Sequence, residues 1–168
     1  HIHPAVKMEG TGSMGFEQNN AAPKIVILAT LSGGYAGADS VGQLHTDYAS
    51  NVFILPTVCP AMFPEEFYLR TFEKGFDAIL VMYSGTDCPY KGGAERTAEI
   101  VNRVYPLMKE RGIDPRRLRL TAICTVCTKP FLKEVDQMNE LLRDIGPVRS
   151  VEALREAPLQ QAVQGLGG

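Results

Sequence analysis

No apolar run in this sequence approaches the roughly 18 to 20 residues that cross a bilayer. Nor does the chain open on the charged, apolar and small-residue succession of a signal peptide, so the expected location is the cytoplasm. Positive charge is in short supply too: 17 Lys and Arg stand against 19 Asp and Glu, a formal charge of -2. That balance leaves no basic face for nucleic acid, and the expected partner is a protein or a small molecule. Histidine is scarce. His1 and His3 lie in an opening stretch, residues 1–13, that has no apolar period and ends in Gly12-Ser13 before Met14; it reads as an expression tag, and neither histidine is counted in a site. His45 has no second histidine near it and reads as a helix-surface residue. No nucleophile is matched with a base, so catalysis by the chain alone is not expected.

A chain of 168 residues is one ordinary domain with room for a core. From Lys24 onward, short apolar runs alternate with helical patterns. The runs are Lys24 to Ala29, Val52 to Leu55, Ala78 to Met82 and Leu118 to Ile123. Pro64-Glu65-Glu66 has the composition of a first helical turn, with proline tolerated at the start and carboxylates near the positive end of the dipole. Ile100, Val101, Val104, Leu107 and Met108 recur at helical spacing, and a last helix is expected to carry Phe131, Leu132, Val135, Met138, Leu141, Leu142 and Ile145. Strand and helix in alternation imply parallel pairing, and hence a single three-layer α/β domain with a mainly parallel, flavodoxin-like or Rossmann-like sheet over residues 24–148. Residues 149–168 read as a C-terminal tail. Asp39 is expected to open the first helix, and Arg116, Arg117 and Arg119 to form a solvated basic edge.

The chain has four cysteines, and each follows an apolar run: Cys59 the second, Cys88 the third, Cys124 and Cys127 the fourth. In open parallel sheets the ligand lies beyond the carboxyl ends of the strands. Neighbouring strands are about 4.8 Å apart, so thiolates on loops from three strands can converge to within about 8 Å, the reach of a metal or iron–sulfur site. The same four residues also suit a buried, unreactive role, since free cysteine packs as a small hydrophobe. A different ligand is suggested by the loop after the first run, where Thr30, Ser32, Gly33 and Gly34 resemble the hydroxyl- and glycine-rich phosphate loop of flavodoxins. With no tryptophan in the chain, Tyr35 or Tyr90 would have to stack the FMN ring. Zinc held by the four thiolates of an interaction module is the third reading.

Several segments together carry a family resemblance. Tyr35-Ala36-Gly37-Ala38-Asp39, Val58-Cys59-Pro60 followed by Pro64-Glu65-Glu66-Phe67, Glu73 to Ala78, Asp87-Cys88-Pro89-Tyr90 and Gly112 to Leu120 resemble the delta subunit of methyl-viologen-reducing hydrogenase, over about residues 24–146. The resemblance implies an anaerobic electron-transfer subunit with a 2Fe-2S cluster. Such a protein passes electrons between a hydrogenase, formate dehydrogenase or other oxidoreductase and the flavoprotein of a heterodisulfide reductase complex; a homodimer is also compatible with it. Where the family has a Cys-x-x-Cys pair this chain has Thr30 and Gly33, and where the family has a further cysteine it has Tyr83-Ser84. Cys59 and Cys88 match family cysteines, whereas Cys124 and Cys127 stand where the family has serine, alanine and glutamate. The expected metal ligands are therefore Cys59, Cys88, Cys124 and Cys127, a first-loop pair having been exchanged for one on the fourth strand's loop. A member that has lost its cluster and serves as a scaffold fits the same departures.

Overall fold

Six residues from Ile25 to Thr30 form strand β1, and every one is buried. A continuous, partly β-branched run has no polar face to turn to water, so it belongs at the centre of a sheet covered on both sides. The computed structural model describes residues 22–43, 50–85, 88–123 and 128–148; the expected tag at 1–13, the tail at 149–168, His45, Cys124 and Cys127 lie outside the described residues.

The elements follow in strict alternation: α1 (Gly34–Gln43), β2 (Val52–Thr57), α2 (Glu65–Glu73), β3 (Ala78–Tyr83), α3 (Gly93–Glu110), β4 (Leu118–Ala122) and α4 (Thr128–Ile145). The strands are all parallel in the order β2-β1-β3-β4, the first four places of a flavodoxin-like sheet. The register pairs Thr30 with Thr57, Ala29 with Met82 and Tyr83 with Ala122, which brings the carboxyl ends of the strands to one level.

Alternating residues of β1 and β3 feed two cores. Ile25, Ile27, Ala29, Leu80 and Met82 pack against Ala38 of α1 and against Phe131, Val135, Met138 and Leu142 of α4. On the other face Val26, Leu28, Ile79 and Val81 meet Tyr68, Leu69 and Phe72 of α2 and Ile100, Val101, Val104 and Met108 of α3. Each large side chain so buried contributes about 1.5–3 kcal/mol, and together they fix the three layers foreseen from the alternation. Strand β2 is at the sheet edge, which leaves Phe53 and Leu55 half exposed and gives Pro56 a place where proline is tolerated.

Two expectations change. Helix α1 begins at Gly34, so Asp39 lies in its second turn and cannot complement the dipole at its start. Arg117 is only 5% exposed: its guanidinium donates to the carbonyls of Asp77, Ile145 and Gly146 and ties the end of α4 to the start of β3. Burial pushes its pKa down, and the nearby carboxylates of Asp77 and Asp114 offset part of that. Arg116 is paired with Asp114, and Arg119 with Glu134, so the cationic edge is largely neutralised. Among the described residues no helix is long and apolar enough to cross a membrane.

Candidate functional site

Beyond β2 the chain turns at once. Cys59 is extended and precedes a short 3-10 turn, Pro60–Met62, whose first residue is a proline that needs no donor there. The Met62 amide donates to the Cys59 carbonyl at 3.2 Å, and the Thr57 hydroxyl donates to the Met62 sulfur at 3.6 Å, so the turn is riveted to the end of its strand. Beyond β3, the Cys88 amide donates to Gly85 and the Gly93 amide to Tyr90, the second bond at 2.9 Å. Gly92 caps α3 at φ 73°, a left-handed conformation that glycine adopts without penalty.

These two loops meet at Gly93, the first residue of α3. A Cβ there would stand 3.0 Å from the Cys88 sulfur and 3.3 Å from the Cys59 sulfur. The sulfurs therefore lie no further apart than those two distances laid end to end, inside the span expected of cluster ligands. Both are free thiols, partly exposed, and both sit at a helix start, where the positive end of the dipole favours an anionic centre. On α2, Tyr68 is wholly buried, and its hydroxyl has no hydrogen-bond partner. Burial pushes the Tyr68 phenol far above the ordinary tyrosine range, and negative charge on Cys59 adds to the rise.

The loop after β1 is organised differently. Ser32 and Ser84 hydroxyls are 2.6 Å apart, and Thr30 stands 3.4 Å from Ser84, so β1 and β3 are stitched together at the switch in strand order. A Cβ on Gly33 would lie 2.8 Å from the Ser84 hydroxyl, and one on Gly34 would lie 2.6 Å from the Met82 Cβ, which is why both positions are glycine. Two amides of this loop are already committed, Leu31 to the Thr57 carbonyl and Gly33 to that of Thr30. The hydroxyls and two amides of a phosphate-loop reading are thus bonded within the protein, and Tyr35 stands exposed beside them. Thr30, Gly33 and Ser84, which fall among the positions where the resemblance implies other cysteines (Thr30, Gly33 and Tyr83-Ser84), come together here as hydroxyls over a glycine. Hydroxyl oxygen is a poor ligand for a soft thiophilic centre, so that part of the edge cannot supply cluster ligands.

Among the described residues no group of three His, Cys, Asp or Glu side chains is gathered to hold a metal ion. Cys59 and Cys88 provide two thiols in a cradle left open by a missing Cβ, which suits thiolate ligation of an iron–sulfur group. The other expected pair, Cys124 and Cys127, and Asp87 beside Cys88 lie outside the described residues. Of the seven exposed large hydrophobic side chains among the described residues, Leu31, Tyr35, Val58, Met62 and Tyr90 lie in the segments that follow the carboxyl ends of the strands. Sequence reasoning missed Tyr68, although its spacing of four from the core residue Phe72 puts it on the buried face of α2. It also missed Gly93, whose signal was a glycine pair just ahead of a helix.

Known proteins resemble this chain in sequence. The chain is 28% identical over 126 residues to the vhu iron-sulfur subunit of the F420-non-reducing hydrogenase of Methanocaldococcus jannaschii, an overlap that covers 74% of this chain and 94% of that one. It is 32% identical over 129 residues to a subunit of the Ferredoxin/F(420)H(2)-dependent CoB-CoM heterodisulfide reductase of Methanosarcina acetivorans, covering 76% of this chain and 16% of that much longer one. The matching subunit of the Ferredoxin:CoB-CoM heterodisulfide reductase of Methanosarcina mazei is 31% identical over 117 residues, 69% of this chain and 15% of its own. This chain therefore spans about a sixth of the length of either reductase subunit. The family model described as methyl-viologen-reducing hydrogenase, delta subunit, matches residues 25–146, which contain every strand and helix described above, and the chain belongs to that family.

Proposed function

We propose that this protein is an electron-transfer subunit that carries a 2Fe-2S cluster and passes electrons between a redox enzyme and a heterodisulfide-reductase-like flavoprotein. The observation that carries the reading is the convergence of Cys59 and Cys88 on the bare start of α3, with Cys124 and Cys127 as the remaining ligands. When bound, the cluster supplies a one-electron redox centre. The chain's own residues hold it at the sheet edge and surround it with the apolar rim of Leu31, Val58, Met62 and Tyr90. Such a rim excludes water from a docking interface.

The choice of partner is supported by the relatives. The module is a free-standing hydrogenase subunit in one set and one part of a longer heterodisulfide reductase subunit in another. A unit that accompanies one enzyme and is fused to a component of the other fits a position between them. A hydrogenase is the preferred electron donor, with formate dehydrogenase as the alternative.

The test begins with anaerobic purification and iron and acid-labile sulfide analysis. Brown protein containing both is expected. Cys59→Ser and Cys88→Ser should each bleach the visible absorption and stop electron passage to the flavoprotein, with the far-ultraviolet circular dichroism retained. Colourless protein holding zinc, yellow protein holding FMN, or full electron passage with both cysteines replaced would each overturn the reading.

A further inference from the structure

Strand β2 is an open edge of the sheet, and on its α2 side lies a groove of about 680 Å³. Phe53, Leu55, Phe67 and Phe76 give that groove an apolar lining, and the first two are half exposed. Phe53 meets Phe76 edge to face at 5.5 Å, which ties the amino end of the groove to the chain entering β3. Arg70 and Lys74 line the α2 wall one helical turn apart, with Glu66 a turn further on. Neither cation has an ion-pair partner among the described residues. An apolar groove rimmed by two unpaired cations fits an apolar segment that carries carboxylates.

The path of the chain beyond α4 supplies such a segment. Helix α4 packs on the opposite face of the sheet, yet Val148 has already crossed to the face of the groove. Its amide donates to the Asp77 carboxylate at 2.8 Å, and its side chain joins the core of α2 and α3. Asp77 directly follows Phe76, so the chain leaves the described residues beside the amino end of the groove. From β3 to the β2 edge is two strand spacings, about 10 Å, which three extended residues span. After Arg149 and Ser150 come Val151, Glu152, Leu154 and Glu156. The two glutamates are four residues apart, as Arg70 and Lys74 are. A segment entering at the Lys74 end meets Lys74 first and Arg70 second, which matches Glu152 and Glu156 in order. The groove at the β4 edge is a poorer host, because its Arg116 and Arg119 are already paired with Asp114 and Glu134.

We propose that residues 149–157 fold back over the β2 edge and fill the groove between β2 and α2, with Leu154 on its aromatic floor and Glu152 and Glu156 paired with Lys74 and Arg70. The segment acts as a cover. An unpaired edge strand invites association with another chain, and a filled groove withdraws Phe53 and Leu55 from water. No cluster is needed for this closure.

Amide hydrogen exchange of the metal-free full chain, read by mass spectrometry, provides the test. Residues 150–157 should be protected in the wild type. Leu154→Asp should speed their exchange about 10- to 100-fold, the factor that burial of one leucine is worth. Lys74→Glu and Glu152→Lys should each speed it about two- to fivefold, and the double variant should restore it, as expected of an exposed ion pair. Lys74 is exposed and belongs to neither core, so its replacement leaves the fold standing. Exchange in residues 150–157 as fast as in a synthetic peptide of that sequence would overturn the proposal. So would protection that ignores Lys74→Glu, which would seat the segment elsewhere, the β4 edge included. Protection that fades on dilution as a dimer dissociates in sedimentation would also overturn it and give the groove to a second copy.

Discussion

Replacing Gly93 by alanine isolates the thiol cradle from the rest of the fold. The new methyl would stand 3.0 Å from the Cys88 sulfur, 3.3 Å from the Cys59 sulfur and 3.3 Å from the Tyr90 Cβ. Comfortable contacts between such atoms begin at about 3.5–4.0 Å, so each sulfur must retreat by roughly 0.5 Å. Both sulfurs end short side chains on partly exposed loops, and they can swing away without moving a strand. The metal-free variant should therefore stay within about 1 kcal/mol of wild type, a shift of about 2–4 °C for a chain of this size. Cluster ligation has no such tolerance. Metal–thiolate bonds are about 2.3 Å long, and a displacement of a fifth of that length in two ligands at once should weaken cluster retention about 10- to 100-fold, as loss of ligand support does elsewhere.

Gly34→Ala supplies the contrast. Its methyl would meet the Met82 Cβ at 2.6 Å and the Met82 carbonyl at 3.0 Å, and backbone in a central strand cannot swing aside. Overpacking of that kind costs about 1–3 kcal/mol, so its melting temperature should fall by several degrees. Scanning calorimetry of the metal-free proteins and chelator competition of the loaded ones separate the two effects. The reasoning fails if Gly93→Ala keeps its iron against chelator as well as wild type does, or if its stability drops as far as that of Gly34→Ala.

Arg117→Ala should destabilise the protein by about 3 kcal/mol, since hydrogen bonds from charged groups are each worth about 1.5–3 kcal/mol and three carbonyls lose their donor, with recovery of the guanidinium's desolvation offsetting part; a denaturant midpoint within error of wild type would refute this. The hydrogen bond from Arg103 holds the Glu65 carboxyl below the usual carboxylate range. A depressed folded pKa contributes stability that is present above the unfolded value, near 4.3, and is lost as pH falls through the folded one. Arg103→Ala should accordingly lower the melting temperature at pH 7 and have no effect near pH 2, and a carboxyl NMR titration should find Glu65 titrating below the usual carboxylate range.

Strand and helix alternation was legible because it rests on local pattern. The buried run at Ile25–Thr30 and the helical spacing of Phe131, Val135, Met138 and Leu142 each reflect one face meeting one core. Arg117 was misread for the opposite reason. Three arginines within four residues look like a solvated edge in sequence, yet the middle one turns inward because the ends of α4 and β3 present carbonyls that need a donor. Asp39 was misplaced because glycines suggested a loop where the close approach of α1 to Met82 required them inside the helix start.

The meeting of Cys59 and Cys88 was expected from their positions after strands, but the path by which they meet was not. Strands β2 and β3 are not neighbours; β1 lies between them, so the two loops start about 10 Å apart across the sheet. They cannot close that gap directly over β1, because its exit loop is already drawn onto β3 by the Ser32–Ser84 bond. The 3-10 turn after β2 instead packs on α3, and both thiols are delivered to the first residue of that helix. The hydroxyls at Thr30, Ser32 and Ser84 and the thiols over Gly93 are therefore alternative solutions to the same crowding. The edge is closed by hydrogen bonds between β1 and β3, while the Cys59 and Cys88 thiols lie on the α3 side. On that argument, cysteine introduced at Thr30 and Gly33 should not add ligands to the proposed centre: a Cβ at Gly33 falls within 2.8 Å of the Ser84 hydroxyl, and the exit loop would have to leave β3 before a sulfur placed there could reach the Cys59 and Cys88 thiols.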